Sequence, residues 1–216
     1  MVRALLMKDL MLLRYRILFG LALSMFALMP MRPSAPRGMF GAMMTHMVVT
    51  AFLTQLGGLE ERSRGDVLVS LLPLGRGDVV RARYLLLGGL AAAMATFYVV
   101  PPAVLSLVAP APLSPGTLAT WWLWCATLTL VLWSMSLPVV FRLGMTGSQI
   151  LINALMFTPL LLAMTASRLF GPQIQSLVQS GWLATAWTAL GALGLALALA
   201  YLSSLLSTRL YSRRDL

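Results

Sequence analysis

Residues 84–108 read YLLLGGLAAAMATFYVVPPAVLSLV and contain no charged side chain. A helix needs about 20 consecutive apolar residues to cross the hydrocarbon core of a bilayer, so this stretch is long enough for one crossing. The charge-free sequence continues to residue 141, but the breaker-rich turn APAPLSPG at 109–116 divides it. The run therefore predicts two membrane-spanning helices joined by a short turn.

Further charge-free runs lie on both sides of this pair, at 17–31, 38–59, 143–167 and 169–208. The last run opens with glutamine and serine residues up to position 180, so only its later part suits a bilayer. The strands of a membrane barrel would alternate polar and apolar residues, which these runs do not. We therefore expect an all-α membrane protein with one domain over 1–216. Its six transmembrane helices would lie at about 15–31, 39–59, 84–108, 118–141, 146–167 and 182–206.

The composition excludes an ordinary soluble domain, because 59% of the residues are hydrophobic and only 10% are charged. The net charge of +10 would suit nucleic acid, but its distribution favours a membrane. With both termini inside, the outer side receives only Arg32, Arg37 and Arg168, and the other basic residues lie inside. The charge therefore predicts an orientation and contact with anionic membrane lipid, and we expect no nucleic-acid partner.

The two ends of the chain carry shorter features. In residues 1–14, leucines recur at helical spacing among charged residues, which predicts an interfacial helix along the inner membrane surface. The alternative is that these residues extend the first span with basic side chains that reach the interface. The stretch before the sixth span, 169–181, predicts a short outer segment. No cleavable signal peptide is evident, and Cys125 is the only cysteine, so no disulfide forms within one chain.

Charge is concentrated between the second and third spans, where residues 60–84 read EERSRGDVLVSLLPLGRGDVVRARY. The tetrapeptide RGDV occurs at 64–67 and again at 76–79. Glycine permits a turn and aspartate caps the helix that follows, so Asp66 would start a short helix over 67–72 that Pro73 stops. Asp78 would start the helix that becomes the third span. The short helix is too apolar for a solvated connector, and it should lie on lipid or dock into a cleft of a partner.

The order of features in this segment resembles the six-span permease subunit of type-2 ABC exporters, in particular the small bacterial branch that includes exporters of amphipathic peptides. The features are Glu60-Glu61, the apolar helix at 67–72, Leu72-Pro73, Arg76, Asp78-Val79-Val80 and Arg83-Tyr84. The resemblance implies that 60–83 forms a cytoplasmic coupling loop, whose short helix inserts into a groove on a separate ABC ATPase. The residues expected to make this contact are Glu61, Arg64, Asp66, Leu71, Leu72, Pro73 and Arg76.

The resemblance also implies a second permease copy or paralogue and a multi-pass location in a bacterial inner membrane, with both termini cytoplasmic. It implies ATP and magnesium on the partner ATPase, and no cofactor or metal in this chain. No G-x-x-x-x-G-K-[ST] motif occurs, since the only lysine is Lys8. The resemblance implies an exporter that moves its cargo outward. We expect this cargo to be apolar or amphipathic (a peptide, a lipid or a drug-like molecule), because the spans offer no charged pathway.

Other functions remain open from the residues. Glu60-Glu61 with a nearby arginine is similar to the site of certain intramembrane proteases, but His46 is the only histidine and such sites need more. His46 among methionines of the second span suits copper(I), although packing is the ordinary role of such methionines. A membrane scaffold or sensor that binds a cytoplasmic partner without transport is the alternative from a different class. Finally, Pro101-Pro102, Pro138 and Pro159 predict kinks in three spans.

Overall fold

The structure, a computed structural model, describes residues 7, 37–62, 75–108, 114–169 and 185–212. Within these residues it contains five α-helices and no strand, so the expected all-α architecture is confirmed for the described part of the chain. The helices are α1 (Arg37–Arg62), α2 (Arg76–Val108), α3 (Pro115–Gly147), α4 (Gln149–Leu169) and α5 (Ala186–Ser212).

Each predicted span that falls within the described residues coincides with one of these helices. Among them, α2, α3 and α5 are long and apolar enough to cross a membrane by length and composition. The count of six spans stays a prediction. The predicted span at 15–31 and the coupling helix at 67–72 lie outside the described residues, as does the outer segment beyond Leu169. The same holds for the interfacial helix at 1–14 apart from Met7.

Helix α3 is the central element and packs against all four other described helices. Its buried positions include small hydroxyl residues that let neighbouring backbones approach closely. The hydroxyls of Thr129 and Ser136 are bonded within their own helix, to the carbonyl oxygens of Cys125 at 3.1 Å and Leu132 at 3.3 Å. These polar groups are therefore satisfied without a partner from another helix.

Helices α1 and α3 run in the same direction. The buried indole of Trp133 donates from Nε1 to the Thr50 hydroxyl at 3.0 Å, and further along both helices Glu61 contacts Met145. Trp133 belongs to an apolar core that α1, α2, α3 and α5 all supply. This shared core sets the register of the bundle.

Helix α5 is parallel to α3 and antiparallel to α2. Phe141 and Tyr211, near the ends of α3 and α5, pack edge to face with ring centroids 5.4 Å apart. Arg76 at the start of α2 reaches the end of α5. The last turns of α1, α3 and α5 and the first turns of α2 and α4 therefore gather at one end of the bundle. We call it the loop end, because residues 63–74 connect α1 to α2 there.

The backbone of α2 and α3 keeps helical φ and ψ angles at the prolines. The helical assignment of α2 continues through Pro101 and Pro102, and that of α3 continues through Pro138. In α3 the backbone becomes non-helical at Gly144 instead, with φ 80° and ψ 175°. This break falls closer to the loop end than Pro138, and the kinks expected at the prolines stay a prediction.

Candidate functional site

The loop end contains a kink through which α3 leads into α4, formed by residues 144–148, which we call the elbow. Gly144 adopts a positive φ of 80°, a conformation that only glycine takes without strain. The buried Ser148 stabilises the elbow, because its hydroxyl donates to the Gly144 carbonyl oxygen at 2.5 Å. Helix α4 begins immediately afterwards, with Ile152 N–H donating to the Ser148 carbonyl oxygen at 3.0 Å.

The break at Gly144 creates a new helix start inside the elbow, where backbone N–H groups lack the usual acceptors four residues earlier. The half-buried carboxylate of Glu61, in the last turn of α1, accepts from the N–H groups of Met145 and Thr146 and from the Thr146 hydroxyl. Both carboxylate oxygens lie 3.1 Å from the Thr146 nitrogen. A carboxylate at a helix start is favourable because it meets donors and the positive end of the helix dipole. This set of bonds is the Glu61 contact.

The Glu61 contact requires α1 to approach the elbow closely. A Cβ atom placed on Gly57, one turn before Glu61, would lie 2.2 Å from the terminal methyl of Met145 and 3.2 Å from its Cβ. The same atom on the neighbouring Gly58 would meet nothing within 4 Å. A side chain at Gly57 would therefore displace the Met145 side chain, whereas one at Gly58 would displace nothing.

A second contact joins the start of α2 to the end of α5. The Arg76 guanidinium donates from Nη1 to the carbonyl oxygens of Tyr211 at 3.1 Å and Ser212 at 2.7 Å. The last carbonyls of a helix have no intrahelical donors, and an arginine also complements the negative end of the dipole. We call this pair of bonds the Arg76 contact. The Arg76 side chain is exposed overall, unlike that of Glu61.

The start of α2 differs slightly from the expectation. The helix begins at Arg76, with Asp78 in its first turn, rather than at Asp78. Gly75 precedes the helix, and its carbonyl oxygen accepts from the Asp78 N–H at 2.9 Å. A Cβ on Gly75 would lie 3.4 Å from an Asp78 carboxylate oxygen, so this side chain folds back over the helix start. Asp78 therefore stabilises the first turn from within it.

Deeper in the bundle, a chain of hydroxyls supports the same pair of helices. The Tyr84 hydroxyl of α2 is hydrogen-bonded to Ser203 at 2.6 Å and to Ser207 at 2.9 Å, both on α5. The Ser203 hydroxyl in turn donates to the carbonyl oxygen of Ser134 on α3. Helices α2, α3 and α5 are thus linked by polar groups in a region that is otherwise apolar.

His46 makes the corresponding deep contact between α1 and α4. The ring is almost fully buried, and its Nε2 lies 3.2 Å from the carbonyl oxygen of Leu155. A carbonyl only accepts, so Nε2 carries the hydrogen and donates. The residue four positions after Leu155 is Pro159, which has no N–H to offer this carbonyl within the helix. His46 therefore satisfies an acceptor that the proline leaves open.

Of the seven residues predicted to contact a partner, the structure describes two and places them at the loop end. Glu61 and Arg76 lie on either side of residues 63–74 and contact different helices. Arg64, Asp66, Leu71, Leu72 and Pro73 lie outside the described residues, so their role stays a prediction.

Sequence reasoning missed the residues that receive these two contacts. The elbow carries a recognisable signal, since the pair of glycines in 144–147 (GMTG) interrupts an apolar run next to Arg142. The Arg76 acceptors are backbone carbonyls of α5, which no sequence pattern identifies.

The chemistry available within the described residues is limited to hydrogen bonding and apolar contact. Apart from the buried His46, their acidic and basic side chains all lie within the first or last eight residues of a helix. No group of three or more histidine, cysteine or carboxylate residues that could hold a metal occurs in the part of the chain that the structure describes. The arrangement is suited to transmitting a displacement between helices.

Comparison with protein families identifies one match, to the family model described as ABC-2 family transporter protein, which covers residues 4–212. The match extends over nearly the whole chain, including the loop end and all five described helices. Comparisons with curated proteins and with solved structures gave no match.

Proposed function

Because the chain belongs to the ABC-2 transporter family, we propose that it is the permease subunit of an ATP-driven exporter. A separate cytoplasmic ABC ATPase would supply the energy, since this chain lacks a phosphate-binding loop. The observation that carries the proposal is the pair of contacts made by Glu61 and Arg76, the described residues on either side of 63–74, which reach different parts of the bundle. ATP and magnesium would bind to the ATPase and not to this chain.

The loop end supports a specific route for the movement. The apolar segment 67–72 and Pro73 would dock into the ATPase, with Arg64 and Asp66 at the edge of the contact. A displacement of this segment would reach the elbow through the Glu61 contact and the end of α5 through the Arg76 contact. Small rigid-body shifts of packed helices are an established way to convert closure of one subunit into opening of another.

The cargo class follows from the absence of charge along the spans. Apart from the buried His46, the acidic and basic side chains of the described helices lie within eight residues of a helix end, so the middle of the helices offers little compensation to a highly charged solute. An apolar or amphipathic molecule, such as a peptide, a lipid or a drug-like compound, is the cargo that this lining suits. We further propose a second permease copy or paralogue, six spans, and an inner-membrane location with both termini cytoplasmic.

The test begins with ATPase binding, because it needs no knowledge of the cargo. The tagged chain is co-expressed with the P-loop ATPase of a neighbouring reading frame and purified in detergent. We expect the ATPase to co-purify with the unaltered chain and to be lost from Leu71→Asp/Leu72→Asp, since two carboxylates would have to enter an apolar cleft. Leu113→Asp, in the connection predicted for the opposite side, is the matched control and should retain the ATPase.

Transport is then measured in vesicles that contain both subunits, with a panel of fluorescent amphipathic peptides and lipids. We expect ATP-dependent movement that the Leu71→Asp/Leu72→Asp variant lacks. Equal recovery of the ATPase with this variant would show that residues 67–72 are not the docking segment. If the ATPase binds but no member of the panel moves, the scaffold or sensor alternative is favoured.

A further inference from the structure

A groove of about 560 Å³ runs between α3 and α5 on the side of the bundle. Its walls repeat at helical spacing on both helices and are mostly apolar, and they include several side chains that are largely exposed, such as Met135 and Leu202. The lining residues are Ser134, Met135, Pro138, Val139, Arg142 and Leu143 on α3, and Leu199, Leu202, Ser203, Leu206 and Leu210 on α5. In a membrane, such an open apolar groove is accessible to lipid.

The length of the groove corresponds to one leaflet. Its lining extends over 134–143 on α3 and over 199–210 on α5, which at a rise of about 1.5 Å per residue gives a length of roughly 15 Å. The hydrocarbon core of a bilayer is about 30 Å thick, so the groove covers about half of it. Because Arg142 and Leu210 lie next to the loop end, the groove begins at one membrane surface and ends near the midplane.

Among the described residues, Arg142 is the only charged side chain that lines the groove, and it lies at the surface end. The guanidinium is exposed, and no hydrogen bond or ion pair joins it to another described residue. A single cation at the membrane surface, followed by about one leaflet of apolar wall, complements a molecule with an anionic head and a hydrocarbon tail. Arginine is also the side chain best suited to bidentate bonds with phosphate.

We propose that this groove binds an anionic phospholipid, with its phosphate at Arg142 and one acyl chain between α3 and α5. The inference rests on the membrane location of the chain and not on ATP-driven export. The bound lipid would supply the counter-charge that the described residues do not give to Arg142. It would also fill the space beside Ser203, through which α5 is linked to α2 and α3.

The first test measures lipid binding by native mass spectrometry of the protein in detergent. Phosphatidylglycerol and phosphatidylcholine with identical acyl chains are compared at equal concentrations. We expect the anionic lipid to bind more tightly, and Arg142→Gln to weaken its binding about fivefold, which corresponds to one basic residue at a membrane surface. Arg142→Lys should retain part of the preference. Arg168→Gln, which removes an exposed arginine from the last turn of α4, is the control and should bind like the unaltered protein.

The second test addresses the acyl chain. Leu202→Trp places a bulky side chain in the groove and should weaken both lipids, whereas Leu195→Trp, also exposed on α5 but outside the groove, should weaken neither. A phospholipid with a photoactivatable acyl chain should label residues 199–210. Labelling of other segments only would contradict the proposal.

Three further results would overturn the proposal, and the first two would also identify a different occupant. Competition by inorganic phosphate alone would indicate an anion site without a lipid tail. Disulfide-linked dimers of Leu202→Cys in a Cys125→Ser background would indicate that a second copy covers the groove. If Arg142→Gln binds each of the two lipids as tightly as the unaltered protein does, the charge of Arg142 has no role in lipid binding.

Discussion

The two helices that flank residues 63–74 are attached to the bundle with different strength. On the α1 side, both oxygens of a half-buried carboxylate accept from the elbow. On the α2 side, one nitrogen of an exposed guanidinium donates to two carbonyl oxygens. The side chain of Glu61 is less exposed than that of Arg76, and a charged group interacts more strongly with its partners when it is less exposed. A displacement of residues 63–74 should therefore be transmitted more strongly to the elbow than to α5.

Each side also has a neutral contact deeper in the bundle, and these again differ. His46 bonds one carbonyl oxygen that a proline leaves open, so its loss exposes an unsatisfied acceptor. Tyr84 bonds two serine hydroxyls, each of which is able to find another acceptor within its own helix. The α1 side thus depends on single, irreplaceable partners, whereas the α2 side has alternatives. Substitutions on the two sides separate these behaviours.

The largest effect is expected at Glu61. Glu61→Ala leaves the N–H groups of Met145 and Thr146 without their acceptor, and we expect a loss of about 3 kcal/mol in the free energy of unfolding. That corresponds to a decrease of roughly 10 °C in Tm, measured by thermal unfolding of the purified chain in detergent. Glu61→Gln keeps one acceptor oxygen, so its Tm should lie between those of the unaltered chain and Glu61→Ala. An unchanged Tm in Glu61→Ala would mean that the carboxylate does not hold the elbow.

Gly57 and Gly58 provide a matched pair of sites for this prediction, because substitutions there leave the Glu61 carboxylate in place and only the one at Gly57 acts on the elbow. Gly57→Ala forces Met145 away from α1, while Gly58→Ala enters open space. We expect the first to lower Tm and the second to leave it the same or raise it slightly, since alanine favours the helix. Combined with Glu61→Ala, Gly57→Ala should cost less than it does alone, because both act on the same contact.

An intermediate effect is expected at His46, with Pro159 as its test partner. His46→Ala leaves the Leu155 carbonyl oxygen unpaired, which should cost about 1–2 kcal/mol in unfolding free energy. Pro159→Ala restores an N–H four residues after Leu155, so His46→Ala should cost about 1 kcal/mol less in that background. The four proteins are compared by unfolding in mixed detergent micelles. An equal cost of His46→Ala in both backgrounds would refute the pairing of histidine with proline.

The helical fold was predictable because charge-free runs of sufficient length leave no other structure that satisfies its backbone in lipid. Residues 84–108 and 118–141 lie within α2 and α3. The central position of α3 was not predictable from hydropathy. In α3, an 18-residue stretch with a mean hydropathy of 1.7 has 61% of its residues buried inside the bundle. In α5, such a stretch is more apolar, with a mean hydropathy of 2.0, but only 11% of it is buried. Lipid is as apolar as leucine, so small and hydroxyl residues, rather than hydropathy, favour the helix that becomes central.

The candidate site was predictable in part, for a related reason. Charged residues between apolar runs indicate a surface, and this placed Glu61 and Arg76 correctly at the end of the bundle. Their partners are main-chain groups, apart from the Thr146 hydroxyl, and main-chain groups are the same for every sequence. Only the break at Gly144 has a local signal, because a positive φ selects glycine. The partner of Arg76 depends on how α2 packs against α5, which is a property of the whole bundle.

The smallest effect is expected at Arg76, and it is best detected locally. Arg76→Ala removes the donor to the Tyr211 and Ser212 carbonyl oxygens, but water replaces it at this exposed position, so Tm should fall by no more than a few degrees. Hydrogen–deuterium exchange should nevertheless become faster in the last turn of α5, which loses its cap. Arg81→Ala, exposed on the same helix, should leave that exchange unchanged, and Arg76→Lys should restore part of the protection. Equal exchange in Arg76→Ala and Arg81→Ala would mean that α5 is independent of α2 at this end, so that a displaced loop would act on the elbow alone.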